Sequence, residues 1–304
     1  MAAIEVANLV KTYGSLRAVD GISLQVQAGE VFGMLGPNGA GKSTTTEMIE
    51  GLRRPDSGTV RVLGVDVLHE SERIKQRVGI QLQTTALFQK LTVRELLTLF
   101  ASFFARSLPV DDVLALVNLQ EKAGTRSKHL SGGQQQRLAV GLALVNDPEI
   151  VFLDEPTTGL DPQARRSMWQ VIADLRRRGK TIFLTTHYME EAEHLCDRVA
   201  IVDHGKIIAL DAPSVLIHEH FNHAALEFAT NDHLRQEQLA ALPFVESVRV
   251  ENGTTTLYSG GVSRTTNALM ALAEAQQTEL KGFGMRMATL EDVFLKLTGR
   301  RIRN

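Results

Sequence analysis

Gly36-Pro37-Asn38-Gly39-Ala40-Gly41-Lys42-Ser43 follows the apolar run Val31-Phe32-Gly33-Met34-Leu35 and precedes a helix-compatible segment from Thr44 to Glu50. Strand, glycine-rich loop and helix in that order describe a G-x-x-x-x-G-K-S loop. Its successive backbone N–H groups can wrap a polyphosphate at a helix N-terminus, where the dipole also favours negative charge. Glycines let the backbone approach closely, Lys42 reaches the outer phosphates, and the Ser43 hydroxyl ligates a magnesium ion bridging them. Each charge-assisted hydrogen bond contributes roughly 1.5–3 kcal/mol, so several converging on one triphosphate give useful affinity without any base-specific contact.

Upstream, Ile4 to Leu9 alternates like a half-buried strand, Lys11-Thr12-Tyr13-Gly14 reads as a turn, and Gly21 to Val26 as a second amphipathic strand. Tyr13 can stack its ring on an adenine face, although a tyrosine in a turn is also an ordinary surface aromatic. Downstream, Pro55-Asp56-Ser57-Gly58 turns into a short strand at Thr59 to Leu63. Val78-Gly79-Ile80-Gln81-Leu82-Gln83 is another strand pattern, ending in a glutamine where the pattern becomes helical, a place for a hinge. Thr92 and Glu95 form a T-x-x-E capping box for a helix whose apolar face continues to Phe104, before Pro109 interrupts and Asp111 to Leu119 forms a second helix. These make a helical insertion at about 84–145. Its Leu and Phe residues pack on one another or line a groove for another protein's helix.

Leu130-Ser131-Gly132-Gly133-Gln134 opens the helical run Gln135 to Val145, a second anion-receptive N-terminus. In Ile150-Val151-Phe152-Leu153-Asp154-Glu155 four apolar residues lead to two carboxylates, as expected of a buried parallel strand that delivers acids to its C-terminal end. Asp154 there suits a magnesium site, commonly through water, and Glu155 can orient the attacking water or accept its proton. Asp161-Pro162 starts a helix that runs to about Arg178, with Trp169 as a packing residue. Lys180 to Thr186 is the next buried strand and ends at His187, on the same edge as Asp154 and Glu155, where an imidazole can bond a phosphate oxygen or hold the water.

Val199 to Val202 and Lys206 to Leu210 flank Asp203-His204-Gly205 as a hairpin, and the core is expected to end near residue 217. His218, His220 and His223 follow without the ligand set that zinc requires, so they read as solvated. The rest, 218–304, alternates strands at Ala224 to Phe228, Ser247 to Val250 and Thr254 to Tyr258, with a turn at Asn252-Gly253 and a helix near Thr265 to Glu274. Thr289-Leu290-Glu291-Asp292 is a capping-box start for a last helix, Leu290 to Thr298, with Gly299 at its end. The basic tail Arg300-Arg301-Ile302-Arg303 reads as a solubilising end.

Composition bounds these readings. The 304 residues are 43% hydrophobic and 22% charged with a net charge of -2, ordinary soluble composition for about two domains. No block of lysine or arginine makes an electrostatic footprint for nucleic acid. The single cysteine, Cys196, has no internal partner, and Met1-Ala2-Ala3-Ile4-Glu5 lacks a signal-peptide start, so a reducing cytosol is expected. The most lipid-like stretch, Leu96 to Ala105, is far shorter than the ~20 apolar residues of a spanning helix. A membrane role therefore runs through a partner.

A P-loop, a mid-chain Leu-Ser-Gly-Gly-Gln and a strand ending in Asp-Glu together resemble the ATP-binding subunit of an ABC transporter, over residues 1 to about 215. The resemblance implies an α/β fold, a P-loop NTPase core with an N-terminal antiparallel β subdomain and the helical insertion (1–217), plus a small C-terminal α+β domain (218–304). It implies ATP and Mg2+, with Tyr13 on the adenine, Gly36 to Thr44 around the phosphates, and Ser43, Gln83 and Asp154 toward the metal. Gln83 is then the glutamine that senses metal and γ-phosphate, Gly159-Leu160-Asp161 the D-loop and His187 the switch histidine. Ser131, Gly132, Gly133 and Gln134 become the signature that binds ATP held by the opposite subunit, so one P-loop and one signature require a second copy or a homologous ATPase. The segment Ala288 to Arg300 is similar to the closing part of ATPases paired with ABC-2 type permeases, with alanine where many relatives have proline. That implies an ATP-hydrolysing subunit driving export, cytoplasmic and held at the membrane by a permease. A soluble ABC ATPase acting on ribosomes or nucleic acid, or an ATP-dependent dimerisation switch, are the alternatives; neither tandem cassettes nor a long coiled coil is present.

Overall fold

The computed structural model describes residues 2–83, 86–221, 224–230, 233–251 and 253–299. The chain divides into two compact units, one up to Pro213 and the other from Ser214.

The first unit begins with β1 (Ala2–Tyr13) and β2 (Leu16–Gln27), then β3 (Val31–Leu35), α1 (Lys42–Ile49), β4 (Ser57–Val62), β5 (Val65–Asp66), α2 (Val67–Lys75) and β6 (Val78–Gln81). The helical region holds α3 (Val93–Ala101), α4 (Val110–Leu116) and α5 (Gly132–Leu144). The chain returns through β7 (Ile150–Asp154), α6 (Pro162–Arg177), β8 (Thr181–Thr186), α7 (Met189–Leu195), β9 (Arg198–Asp203) and β10 (Lys206–Asp211).

Two sheets result. An antiparallel one has the order β2-β1-β4-β5, and the central one has the order β10-β9-β3-β8-β7-β6. In the central sheet β9, β3, β8, β7 and β6 run parallel, and β10 closes one edge antiparallel to β9. Every residue of β3 and the first four of β7 are buried, which is why these strands read as continuous apolar runs without alternation. The inward faces of both sheets share one core that includes Ile4, Val6, Met48, Phe32, Phe152 and Phe183. Phe183 stacks on Phe32 at 5.5 Å between centroids. Each such fully buried side chain contributes roughly 1.5–3 kcal/mol.

Local rules explain where elements begin. Thr92 accepts from the Glu95 N–H while the Glu95 carboxylate accepts from the Thr92 N–H at 2.8 Å, the expected capping box. That helix ends at Ala101, short of the Phe104 expected from apolar periodicity. β1 continues through Tyr13 where a turn was expected: register shifts between Val6 and Val10, with Asn8 at φ 50, bulge the strand without ending it. The tight turn is at Gly14, φ 57.

The second unit carries α8 (Pro213–His220), β11 (Ala224–Ala229), α9 (Gln236–Ala240), β12 (Val245–Glu251), β13 (Thr254–Ser259), α10 (Val262–Ala275), β14 (Gly284–Met287) and α11 (Leu290–Thr298). Its antiparallel sheet has the order β12-β13-β11-β14. Leu226, Phe228, Leu239, Leu257 and Leu269 form its core. The buried Asp292 joins strand to helix: its carboxylate accepts from Tyr258 Oη at 2.5 Å, from Arg286 at 2.5 and 2.9 Å, and from the Thr289 N–H at 2.9 Å. Arg286 Nε also donates to Glu227 at 2.8 Å. α8, α9 and β14 have no forerunner in the sequence reading. His223, Asn252 and the tail from Arg300 lie outside the described residues.

Candidate active site

Gly36 through Ser43 connects β3 to α1 as a tight cradle. Gly36 and Gly41 are required by space: a Cβ on the first would stand 2.2 Å from the Val202 carbonyl, and on the second 2.3 Å from that of Ala18, with Gly41 also at φ 101. Lys42, at the first position of α1, is buried and turned onto its own loop, donating to the carbonyls of Gly36 at 2.8 Å and Pro37 at 3.1 Å. Burial pushes its ammonium pKa down, against the pull of Glu155 and Asp154.

The parallel register of β7 and β8 brings the two acids and the histidine to one edge, with Asp154 opposite Thr185. Thr185 donates its hydroxyl to Asp154 and accepts from the Glu155 N–H at 3.0 Å. Burial raises the Asp154 pKa, opposed by Thr185, Lys42 and the Ser43 hydroxyl. Glu155 takes a left-handed φ of 48, a conformation that non-glycine residues hold only when their surroundings fix them. Here the surroundings are dense. Gln83 Nε2 donates to Glu155 Oε2 at 3.2 Å, Thr158 Oγ1 at 3.0 Å, Lys42 Nζ stands 3.6 Å from Oε1, and His187 Nδ1 stands 3.2 Å from Oε2. The imidazole contact has ion-pair distance without the alignment of a hydrogen bond. His187 first, then Lys42 and Thr158, hold the Glu155 carboxyl down at about 2 against its burial.

Tyr13, Asn38, Gly39, Gly41, Lys42, Ser43, Thr44, Gln83 and Glu155 line one cleft of about 390 Å³. Pro37 and Ala40 complete the loop, with the Ala40 N–H donating to the Pro37 carbonyl. Tyr13 is exposed at its mouth, with Lys11 Nζ 5.8 Å and the Arg53 guanidinium 5.6 Å from its ring centre. Ser131, Gly133 and Gln134 stand elsewhere, lining a separate cleft of about 310 Å³ with Asp161 and Arg137. Ser131 is the N-cap of α5: Gln134 N–H donates to its hydroxyl at 3.3 Å and Gln134 Oε1 accepts from its N–H at 3.0 Å. Gly133 is the close-approach point of α5 and α6, since a Cβ there would stand 2.7 Å from that of Ala164. Gly132 faces a neighbouring cleft of about 730 Å³ with Gly159 and Leu160. Asp161 caps α6, accepting from the Ala164 N–H at 2.8 Å.

Ser43 and Asp154 fit a magnesium ion as hard oxygen donors brought together, one of them a carboxylate whose burial disfavours its charge. Gln83 is committed to Glu155. Thr185, Thr158 and Glu50 have no forerunner in the sequence reading. Thr185 is findable only once β7 and β8 are aligned in register. Glu50 closes α1 with its carboxyl buried, pushed up to about 8 by burial and then by Asp154 and Glu47, and its Oε1 has no hydrogen-bond partner. No helix among the described residues is long and apolar enough to cross a membrane.

The family model of ABC transporters matches residues 19–158, from β2 past Glu155. The chain is 41% identical over 309 residues to Nod factor export ATP-binding protein I of Paraburkholderia xenovorans (strain LB400), covering 100% of this chain and 99% of that protein. It is 42% identical over 312 residues to the protein of the same name in Burkholderia pseudomallei (strain 1710b), covering 99% and 98%. Among solved structures, it resembles a dimeric ATP-binding cassette in a post-hydrolysis state bound to ADP and Pi, with TM-score 0.62 and 26% identity, covering 69% of this chain and 98% of that one. An ATP-binding cassette of an ABC transporter in its ADP conformation gives TM-score 0.62 at 26% identity, covering 70% and 91%. Sheet order, phosphate loop and strand-end acids agree with that likeness, and this chain belongs to the ABC transporter family as one of its ATP-hydrolysing subunits.

Proposed function

We propose that this chain hydrolyses ATP at a site built from two copies and uses the closure of that pair to drive export through a separate ABC-2 type permease. One observation carries the two-copy reading: the phosphate loop, Tyr13, Gln83 and Glu155 share one cleft, whereas Ser131, Gly133, Gln134 and Asp161 line another. A half-site on each surface is what a head-to-tail pair completes twice.

Within the half-site, Gly36 to Thr44 wraps the phosphates, Lys42 swings from its loop carbonyls to the outer phosphates, and Tyr13 stacks on the base. Glu155 stays ionised and orients the attacking water or takes its proton, while Gln83 and His187, already on that carboxylate, bring the phosphate side of the site to it. Ser43, Asp154 and Gln83 would hold magnesium, which when bound would neutralise charge on the phosphate oxygens. Ser131 to Gln134 of the other copy closes over the nucleotide with the N-terminus of α5.

The permease docks on the face around residues 83–104. Behind Gln83, Leu52, Ile80, Leu82, Phe100 and Phe104 line a mainly apolar groove of about 380 Å³, which supports that reading. The chain thus works at the cytoplasmic face, held by its permease. The relatives named for Nod factor export support the direction of transport. Residues 218–304 form the accessory domain. The test is ATPase rate against protein concentration for the free subunit at high dilution. Pairing predicts a rise steeper than linear; strict proportionality at every dilution contradicts it.

A further inference from the structure

Behind the candidate catalytic edge the described residues hold one fully buried carboxylate, Glu191, met by polar groups from three segments: Thr157, Thr186, and Arg165 with Trp169. A buried carboxylate is costly unless polar groups surround it, so a network of this kind fixes the segments that supply those groups. Glu191 lies on α7 four residues after His187. Its Oε1 accepts from Trp169 Nε1 at 3.1 Å. The hydroxyls of Thr186 and Thr157 and the charge of Arg165 face the same carboxylate, restraining the rise in pKa that burial imposes. Thr157 follows Glu155 by two residues, Thr186 immediately precedes His187, and Arg165 and Trp169 lie one turn apart on α6, whose N-cap is Asp161. Two stacking contacts close the cluster: the Arg165 guanidinium is 4.4 Å from the Tyr188 ring centre, and Trp169 stacks on His194 at 4.9 Å.

We propose that Glu191 is a positioning residue for hydrolysis, tying the segment after Glu155, the strand end that carries His187 and the helix capped by Asp161 into one unit that moves with the nucleotide state. It touches none of the reacting atoms. It acts through Thr157 and Thr186, which fix Glu155 and His187, and through Trp169, which passes their displacement to α6. The inference rests on the ATPase reading above.

The chain's single tryptophan makes this testable in the purified full-length subunit. Wild type, Glu191→Ala, Glu191→Gln and Trp169→Phe are compared for kcat, KM for ATP, thermal midpoint and, where Trp169 remains, its emission with and without ATP and magnesium. The expected result for wild type is an ATP-dependent change in Trp169 emission, and for Glu191→Ala loss of that change with kcat lowered by about tenfold or more and KM within about threefold. Glu191→Gln keeps an oxygen for the Trp169 N–H and recovers most of kcat. Trp169→Phe lowers kcat by about threefold at unchanged KM and covers the case in which Glu191→Ala does not fold. The inference is overturned by a folded Glu191→Ala with kcat within twofold of wild type, by loss confined to KM, or by Trp169→Phe matching wild type. Failure of the ATPase reading shows separately, as wild type without phosphate release.

Discussion

Lys42 Nζ lies 3.6 Å from Glu155 Oε1 while donating to the carbonyl of Gly36 at 2.8 Å, so the cation meant for the phosphates is held by the loop and the acid of its own half-site. Nucleotide binding exchanges these contacts for phosphate oxygens. Lys42→Ala removes two to three charge-assisted contacts with the outer phosphates, each contributing about 1.5–3 kcal/mol gross. The expected outcome is ATP affinity weakened by about 30-fold or more, measured by calorimetric titration; unchanged affinity contradicts the phosphate cradle.

Glu155→Gln keeps the shape at the end of β7 and removes the ionised carboxylate that His187 and Lys42 surround. Turnover is expected to fall by at least about 100-fold while ATP binding persists and the closed pair accumulates, read by phosphate release and size-exclusion chromatography with ATP. The pH dependence has a definite sign. The folded pKa of about 2 lies below the ordinary 4.5, so this contact stabilises the fold above about pH 4.5 and the contribution is lost as pH falls toward 2. An acid limb of the rate profile near neutrality therefore titrates a group other than Glu155.

Glu50 has the opposite sign. Its folded pKa near 8 exceeds the ordinary 4.5, so between those values the unfolded chain has released a proton that the folded chain keeps, and stability falls as pH rises. The slope is up to about 1.4 kcal/mol per pH unit. Glu50→Gln is expected to flatten the pH dependence of the thermal midpoint in metal-free buffer and to raise it most near pH 8. An unchanged slope would show that Glu50 is ionised in the fold.

Asp292 takes bonds from Tyr258, Arg286 and the Thr289 N–H inside the second unit. Asp292→Ala leaves the Arg286 charge and the Tyr258 hydroxyl without that partner, and is expected to cost about 3–5 kcal/mol, visible in urea unfolding of the intact chain. A loss below about 1 kcal/mol would mean that Glu227 and solvent suffice.

The central β strands were legible because burial on both faces leaves only apolar residues until the strand ends, as in Ile150 to Leu153 before Asp154. The phosphate loop, the caps at Thr92 and Asp161 and the last helix were legible because they are local chemistry. α2 was not: its first turn is Val67-Leu68-His69-Glu70, with Glu70 at non-helical φ and ψ, so no clean period announces it. α7, only Met189–Leu195, is too short to show one. Among the site residues, Lys42, Glu155 and Gln83 share a cleft, as the motif order suggested. Thr185 and Glu191 stayed invisible because their importance comes from register and packing between segments far apart in the chain, Asp154 against Thr185 and Trp169 against Glu191.

The two-copy site has a direct test in mixing two inactive variants, Lys42→Ala and Ser131→Arg. Each alone damages both composite sites of a pair, one through the phosphate loop and the other through the opposing helix. A mixed pair joins the intact Lys42 of one copy to the intact Ser131 of the other. Random pairing of equal amounts, with sites turning over independently, predicts recovery to about a quarter of wild-type ATPase rate per subunit. A mixture as inactive as either variant alone would contradict the account.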